Sequence, residues 1–211
     1  MFALFKDRKD AGHQLGLALV GHYGQRDDVL VLGLARGGVP VAHEVAALLD
    51  APLDVMLVRK LGLPQHKEYA MGAIASGGIV VLDNEVMRTM GISRQALDNV
   101  MEAEQKELSR REKSYRPRGA ARKIEGQTVI LVDDGLATGS TMRAAIASVR
   151  GSGALKVVVA VPVAAGETCE MIRKEVDDAV CLGTPAMFRA VGLWYEDFPQ
   201  VSDDEVRASL A

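Results

Sequence analysis

One stretch restricts what this chain can fold into more than any other. Residues 129–141 read Val-Ile-Leu-Val-Asp-Asp-Gly-Leu-Ala-Thr-Gly-Ser-Thr. Four consecutive apolar residues have no polar face, so they predict a strand buried on both sides, as in a parallel sheet. Two carboxylates, Asp133 and Asp134, end that strand. Small and hydroxylated residues follow from Gly135 to Thr141, and a helical pattern starts at Met142. A strand, an acidic pair, a turn and a helix start in this order point to an α/β protein. In such proteins, ligands sit beyond the carboxyl ends of the parallel strands.

The rest of the chain supplies the layers around that strand. Residues 10–23 read as an amphipathic helix. Residues 29–34 are an unbroken apolar run and predict a second buried strand. The glycine-rich turn after it leads into a helix over 39–49, with Pro40 suited to the first turn. Residues 54–58 predict the next strand, which makes 29–58 a right-handed β-α-β unit. Residues 59–66 are polar, basic and broken by Gly62 and Pro64, so they predict a loop. Residues 71–75 and 79–82 predict a hairpin around Ser76-Gly77-Gly78. A short helix is expected over 84–90. A long one, N-capped by Ser93, is expected from there to about Tyr115, with Leu97, Val100, Met101, Glu104 and Leu108 on one face. The basic residues 116–123 read as a solvated connector. Beyond the central stretch, strands are expected at 156–161 and 179–182, helices at 142–149, 167–175 and 203–210, and an aromatic-rich tail over 184–198.

Composition excludes several classes. A formal net charge of -3 argues against general nucleic-acid affinity, which needs a basic footprint. No run approaches the ~18 apolar residues of a membrane span, and the amino terminus turns charged too early for a signal-peptide core, so a cytoplasmic protein without a membrane partner is expected. Cys169 and Cys181 have neither metal nor redox-motif spacing and are expected as reduced, mostly buried thiols.

The central stretch carries the chemistry. Backbone N–H groups at a helix start, with the Thr138, Ser140 and Thr141 hydroxyls beside them, make a cradle for phosphate. No Lys precedes Ser140-Thr141, so this is not a Walker loop, and no dinucleotide fingerprint is present. Paired carboxylates can accept hydrogen bonds from vicinal sugar hydroxyls, or bind a hard cation such as Mg²⁺. Phosphate at one end and a diol at the other describe a ribose 5-phosphate.

On these residues the chain resembles the type I phosphoribosyltransferase family, whose binding motif for phosphoribosyl pyrophosphate (PRPP) is similar to residues 129–141. The resemblance implies an α/β fold with a parallel-sheet core flanked by helices. It implies a single domain over 1–211, with a flexible loop and hairpin at 59–82, a helical insertion at 84–118 and a small C-terminal hood at 183–200. Gly135, Ala137, Thr138, Gly139, Ser140 and Thr141 would hold the 5-phosphate, and Asp133 and Asp134 the ribose and Mg²⁺. Ala35, Arg36, Gly37 and Gly38, after the first core strand, resemble the family's pyrophosphate loop, with Arg36–Gly37 the candidate for its unusual cis peptide. Arg59 and Lys60 would join them on the pyrophosphate. Phe188 and Trp194 in the hood would stack on a flat acceptor.

The implied reaction is displacement of pyrophosphate from PRPP by a nitrogen acceptor, expected to be a nucleobase, in nucleotide salvage. Lys60, Glu68 and Arg36 are the catalytic candidates. Many hypoxanthine-guanine members carry an acid where this chain has Ala137, so the group that handles the acceptor's proton must lie elsewhere, and Glu68 is the local candidate. The alternative is a non-catalytic PRPP-binding regulator. A homodimer is a family expectation only.

Overall fold

The computed structural model describes residues 3–64, 66–116 and 121–211, with the backbone alone at Lys67 and Glu68. The chain opens with α1 (Arg8–Tyr23), β1 (Val29–Leu34), α2 (Gly38–Leu49) and β2 (Leu53–Met56). An antiparallel excursion follows: β3 (Val58–Leu63), β4 (His66–Ala75) and β5 (Val80–Leu82), then helices α3 (Asn84–Thr89) and α4 (Arg94–Tyr115). The core resumes with β6 (Thr128–Val132), α5 (Ser140–Gly151), β7 (Lys156–Val163), α6 (Gly166–Arg173) and β8 (Asp178–Gly183). A 3-10 turn (Val191–Trp194) and α7 (Asp203–Ser209) end the described chain.

The core sheet is parallel throughout, in the order β2-β1-β6-β7-β8. Its central strands β1, β6 and β7 are apolar on both faces because both are covered. Alternate residues Val29, Val31, Ile130, Val132, Val158 and Ala160 pack against Leu15 and Leu19 of α1 and Val41 and Val45 of α2. Their neighbours Leu30, Leu32, Val129, Leu131, Val157 and Val159 pack on Met142, Ile146 and Val149 of α5 and Ile172 of α6. Each fully buried aliphatic side chain contributes roughly 1.5–3 kcal/mol to this sandwich. α1 sits close on α2, because a β-carbon at Gly12 would come within 2.6 Å of the Val41 carbonyl oxygen. That close approach sets where the amino end of α1 emerges.

The expected hairpin is present as β4 and β5, turning through Gly77 and Gly78 at positive φ. The loop expected over 59–66 is not: most of it is strand β3, paired antiparallel with β4 and with its register shifted at Gly62. Leu61 and Leu63 alternate onto a cluster with Met71, Ile74, Leu97 and Leu108, with Gly62 between them and the exposed Lys60 just before. That half-polar alternation next to Gly and Pro reads as loop in the sequence, and packing against α4 overrides it. Ser93 caps α4 as expected, accepting from the Ala96 amide at 3.2 Å.

Two further expectations are corrected. Arg116 is not a solvated cation. Its Nε meets Asp54 Oδ1 at 2.7 Å, its Nη2 donates to the Val55 carbonyl at 2.6 Å, and both side chains are nearly buried. Cys169 and Cys181 are joined in a disulfide rather than held as separate thiols. Cys169 lies on the inner side of α6 and Cys181 on the edge strand β8, both packed into the same layer. A spacing of 12 residues carries no motif, and only the return of the chain over the sheet brings the two together.

Candidate active site

β1 and β6 are neighbours, with Gly33 opposite Val132, so the turns leaving their carboxyl ends lie side by side. The first turn contains Ala35, Arg36 and Gly37 before α2. The Ala35 amide still donates to Met56 O at 3.0 Å, and the Arg36 carbonyl accepts from the Val39 amide at 3.2 Å. The cis peptide is Ala35–Arg36, one residue before the expected Arg36–Gly37, where the chain leaves the strand ladder.

The two turns touch through glycine. A β-carbon on Gly37 would stand 2.0 Å from Asp134 Oδ2, and one on Gly38 would stand 2.6 Å from the Val132 carbonyl oxygen. Only residues without a side chain let the two backbones approach this closely.

The second turn is fixed at its middle and open at its end. Leu136 is buried and bridged to Ala164, its amide donating to Val163 O at 2.9 Å. Thr168 Oγ1 on α6 donates to the Ala137 carbonyl at 2.6 Å. Gly139 adopts φ 75°, the left-handed region, and turns the chain into α5 without a side-chain cap. The first amides of α5 therefore have no intrahelical acceptor and remain available to an anion. Ala137, Thr138 and Ser140 are exposed around them, with the Thr138 and Ser140 hydroxyls 3.3 Å apart.

The carboxylates form one unit. The Asp134 amide donates to Asp133 Oδ1 at 2.9 Å. Burial, and then the charge of Asp134, raise the Asp133 carboxyl well above the usual carboxylate range. Burial also raises Asp134, against the pull of a guanidinium. That guanidinium belongs to Arg8, the first residue of α1, whose Nε and Nη2 both meet Asp134 Oδ2, at 2.9 and 2.8 Å. The Tyr195 hydroxyl donates to the Asp134 carbonyl at 2.5 Å. Arg8 and Tyr195 carry no motif in the sequence. The nearest thing to a signal is a cation placed directly after the Asp7 cap, where it opposes the helix dipole.

The remaining candidates are distributed around this centre. Arg36, about a third exposed, pairs with Asp203 of α7 at 3.7 Å. Arg59 is held by Glu104 of α4 at 2.6 Å. Lys60, the next residue on β3, is exposed and lines a cavity of about 660 Å³ together with Ser140, Arg143 and Glu175. The two basic residues expected side by side on one anion are thus separated by strand alternation. The side chain of Glu68 lies outside the described residues. Trp194, in the 3-10 turn, is buried with Phe5, Ala11, Val163 and Tyr195, and its indole Nε1 has no hydrogen-bond partner among the described residues. Trp194 is therefore packed against the amino terminus, α1 and β7 rather than presented to a ligand. Phe188 is half-buried against the same cluster.

Comparison with known proteins gives the chain's family. A family model described as the phosphoribosyl transferase domain matches residues 17–191. A Mycobacterium tuberculosis protein (strain H37Rv), provisionally named a phosphoribosyl transferase, is 48% identical over 208 residues, which cover 98% of this chain and 46% of that protein. Its counterpart in strain CDC 1551 matches equally, so the chain spans about half the length of the curated relatives it matches. The crystal structure of TT1426 from Thermus thermophilus matches with a TM-score of 0.85 and 41% identity, covering 100% of this chain and 98% of that one. The chain belongs to the phosphoribosyl transferase family.

Proposed function

We propose that the chain transfers the ribose 5-phosphate of PRPP to a nitrogen acceptor, a nucleobase, and releases pyrophosphate. The observation that carries this reading is the contact between the turns after β1 and β6, with Gly37 against Asp134. It supports one continuous donor site. The open amides and hydroxyls at 137–141 would take the 5-phosphate, the carboxylates the ribose hydroxyls, and the Ala35–Gly38 turn the pyrophosphate.

The donor set fits a magnesium ion held largely by substrate. Asp133 and Asp134 stand together, and no group of three or more His, Cys, Asp or Glu suited to a metal is found among the described residues. Two carboxylates plus water and phosphate oxygens is the environment this cation favours. When bound, it would supply charge neutralisation on the pyrophosphate.

The chain's own residues would do the rest. The unpaired amides of α5 fix one end of the donor, and the carboxylates fix its diol, so the anomeric carbon is held for attack. Arg36 and the Gly37 amide meet the charge that builds on the leaving group. Lys60 adds a cation from the β3 side, and Arg59 would have to leave Glu104 to do the same. Phe188 would contact the acceptor from the hood, and Glu68 would take its proton.

The test is a screen of nucleobases with PRPP and Mg²⁺, read by pyrophosphate release. Release with one base names the acceptor. Silence with every base, despite PRPP binding, would replace transfer with a regulatory binding role.

A further inference from the structure

We propose that Arg8 is a positioning residue of the donor site, which orients Asp134 so that one oxygen of each carboxylate faces the ribose diol. This rests on the donor site proposed above. Four oxygens belong to Asp133 and Asp134, and the protein itself occupies two. Asp133 Oδ1 accepts from the Asp134 amide, and Asp134 Oδ2 accepts both Nε and Nη2 of Arg8. That same Oδ2 is pressed against Gly37, where even a β-carbon would not fit. Beyond the contact of the two carboxyl groups with each other, no hydrogen bond among the described residues reaches Asp133 Oδ2 or Asp134 Oδ1. One acceptor per carboxylate remains, and two neighbouring hydroxyls on a furanose need two neighbouring acceptors.

Arg8 suits this task better than a lysine would. Its Nη1 donates to the Pro199 carbonyl at 2.7 Å, and its guanidinium lies 3.7 Å over the Phe198 ring. The planar fork thus spans the hood and Asp134 at once, which a point charge cannot do. The side chain is only 11% exposed, so the pair is shielded from competing water. A cation in the first turn of a helix works against the helix dipole. Its position there is accounted for by its partner across the cleft rather than by α1. The amino end of α1, the hood and the diol carboxylates are thereby tied into one unit.

The test is a double-mutant cycle on binding of PRPP with Mg²⁺, measured by calorimetry. Arg8→Gln in the otherwise unaltered protein is expected to weaken binding about tenfold or more. In an Asp134→Asn background the same change is expected to cost little further, because the group that Arg8 orients is already altered. Equal losses in both backgrounds would overturn the proposal. If Arg8→Gln melts early, Arg8→Lys keeps the charge and stem, and it too is expected to lose affinity. Unchanged affinity in either folded variant would refute the role of Arg8. A protein with Arg8 intact that does not bind PRPP would instead refute the proposed function.

Discussion

Gly37→Ala isolates the contact on which the proposed donor site depends. Gly37 sits at φ -61° and ψ -33°, a conformation alanine adopts freely, so the substitution carries no backbone strain. By limiting the unfolded chain it should even stabilise by about 0.4–1 kcal/mol. The cost is steric: the new carbon would stand 2.0 Å from Asp134 Oδ2 and 2.7 Å from its Cγ, inside the 3.0 Å that such contacts essentially never breach. Asp134 cannot swing aside without breaking its bonds to Arg8, and overpacking of this kind costs about 1–3 kcal/mol. The two terms leave a net destabilisation of roughly 0–2.5 kcal/mol. Ligand affinity should fall further than stability. Displacing Asp134 removes a charged hydrogen bond worth about 1.5–3 kcal/mol, hence about ten- to a hundredfold in PRPP affinity. Calorimetry with PRPP and Mg²⁺, beside a thermal melt, measures both. Gly166→Ala, whose added carbon meets nothing within 4 Å, is the control. Undiminished PRPP affinity in a folded Gly37→Ala protein would show that this contact does not shape the donor site.

Other expectations follow from separate parts of the molecule. Once an acceptor is known, Lys60→Ala should lower turnover more than PRPP affinity, because Lys60 is exposed on the cavity wall rather than built into the turns; equal losses in steady-state kinetics would indicate a simple binding role. Replacing both Cys169 and Cys181 by Ala should cost about 3 kcal/mol for a loop of this length, and a melt that does not differ from that of the oxidised protein would contradict the disulfide. Asp28 accepts from the Arg26 guanidinium and the Thr128 hydroxyl, which depress its carboxyl from 3.8 to about 2. The stability it adds is present above its ordinary pKa and is lost as pH falls through about 2. Asp28→Asn should therefore flatten the acid limb of a stability–pH curve, and an unchanged limb would show that this carboxylate is not a source of acid lability.

The core was legible because its signals are local. Apolar runs at 29–34 and 129–132, glycines after strands, and Ser93 as a cap each act within a few residues of themselves, and the structure places these elements where the pattern does. The open start of α5 was legible for the same reason: an unpaired helix start needs only its own amides and small neighbours. What escaped depends on chain segments far apart. Arg8 reaches Asp134 across 126 residues, and nothing near residue 8 encodes the partner. The disulfide, the Arg116–Asp54 pair and the burial of Trp194 likewise arise only once the layers are stacked. Arg59 and Lys60 look equivalent in sequence, and they diverge because β3 is a strand that turns one to Glu104 and the other to the cavity.

On the proposed reading, the turns after β1 and β6 form one PRPP site completed by magnesium. Titration of PRPP into the protein by calorimetry, with and without Mg²⁺, tests it most directly. Saturable one-site binding is expected, strengthening sharply with Mg²⁺ and lost when Asp133→Asn and Asp134→Asn are combined. Absence of binding in the unaltered protein, or affinity unaffected by the double substitution, would contradict it.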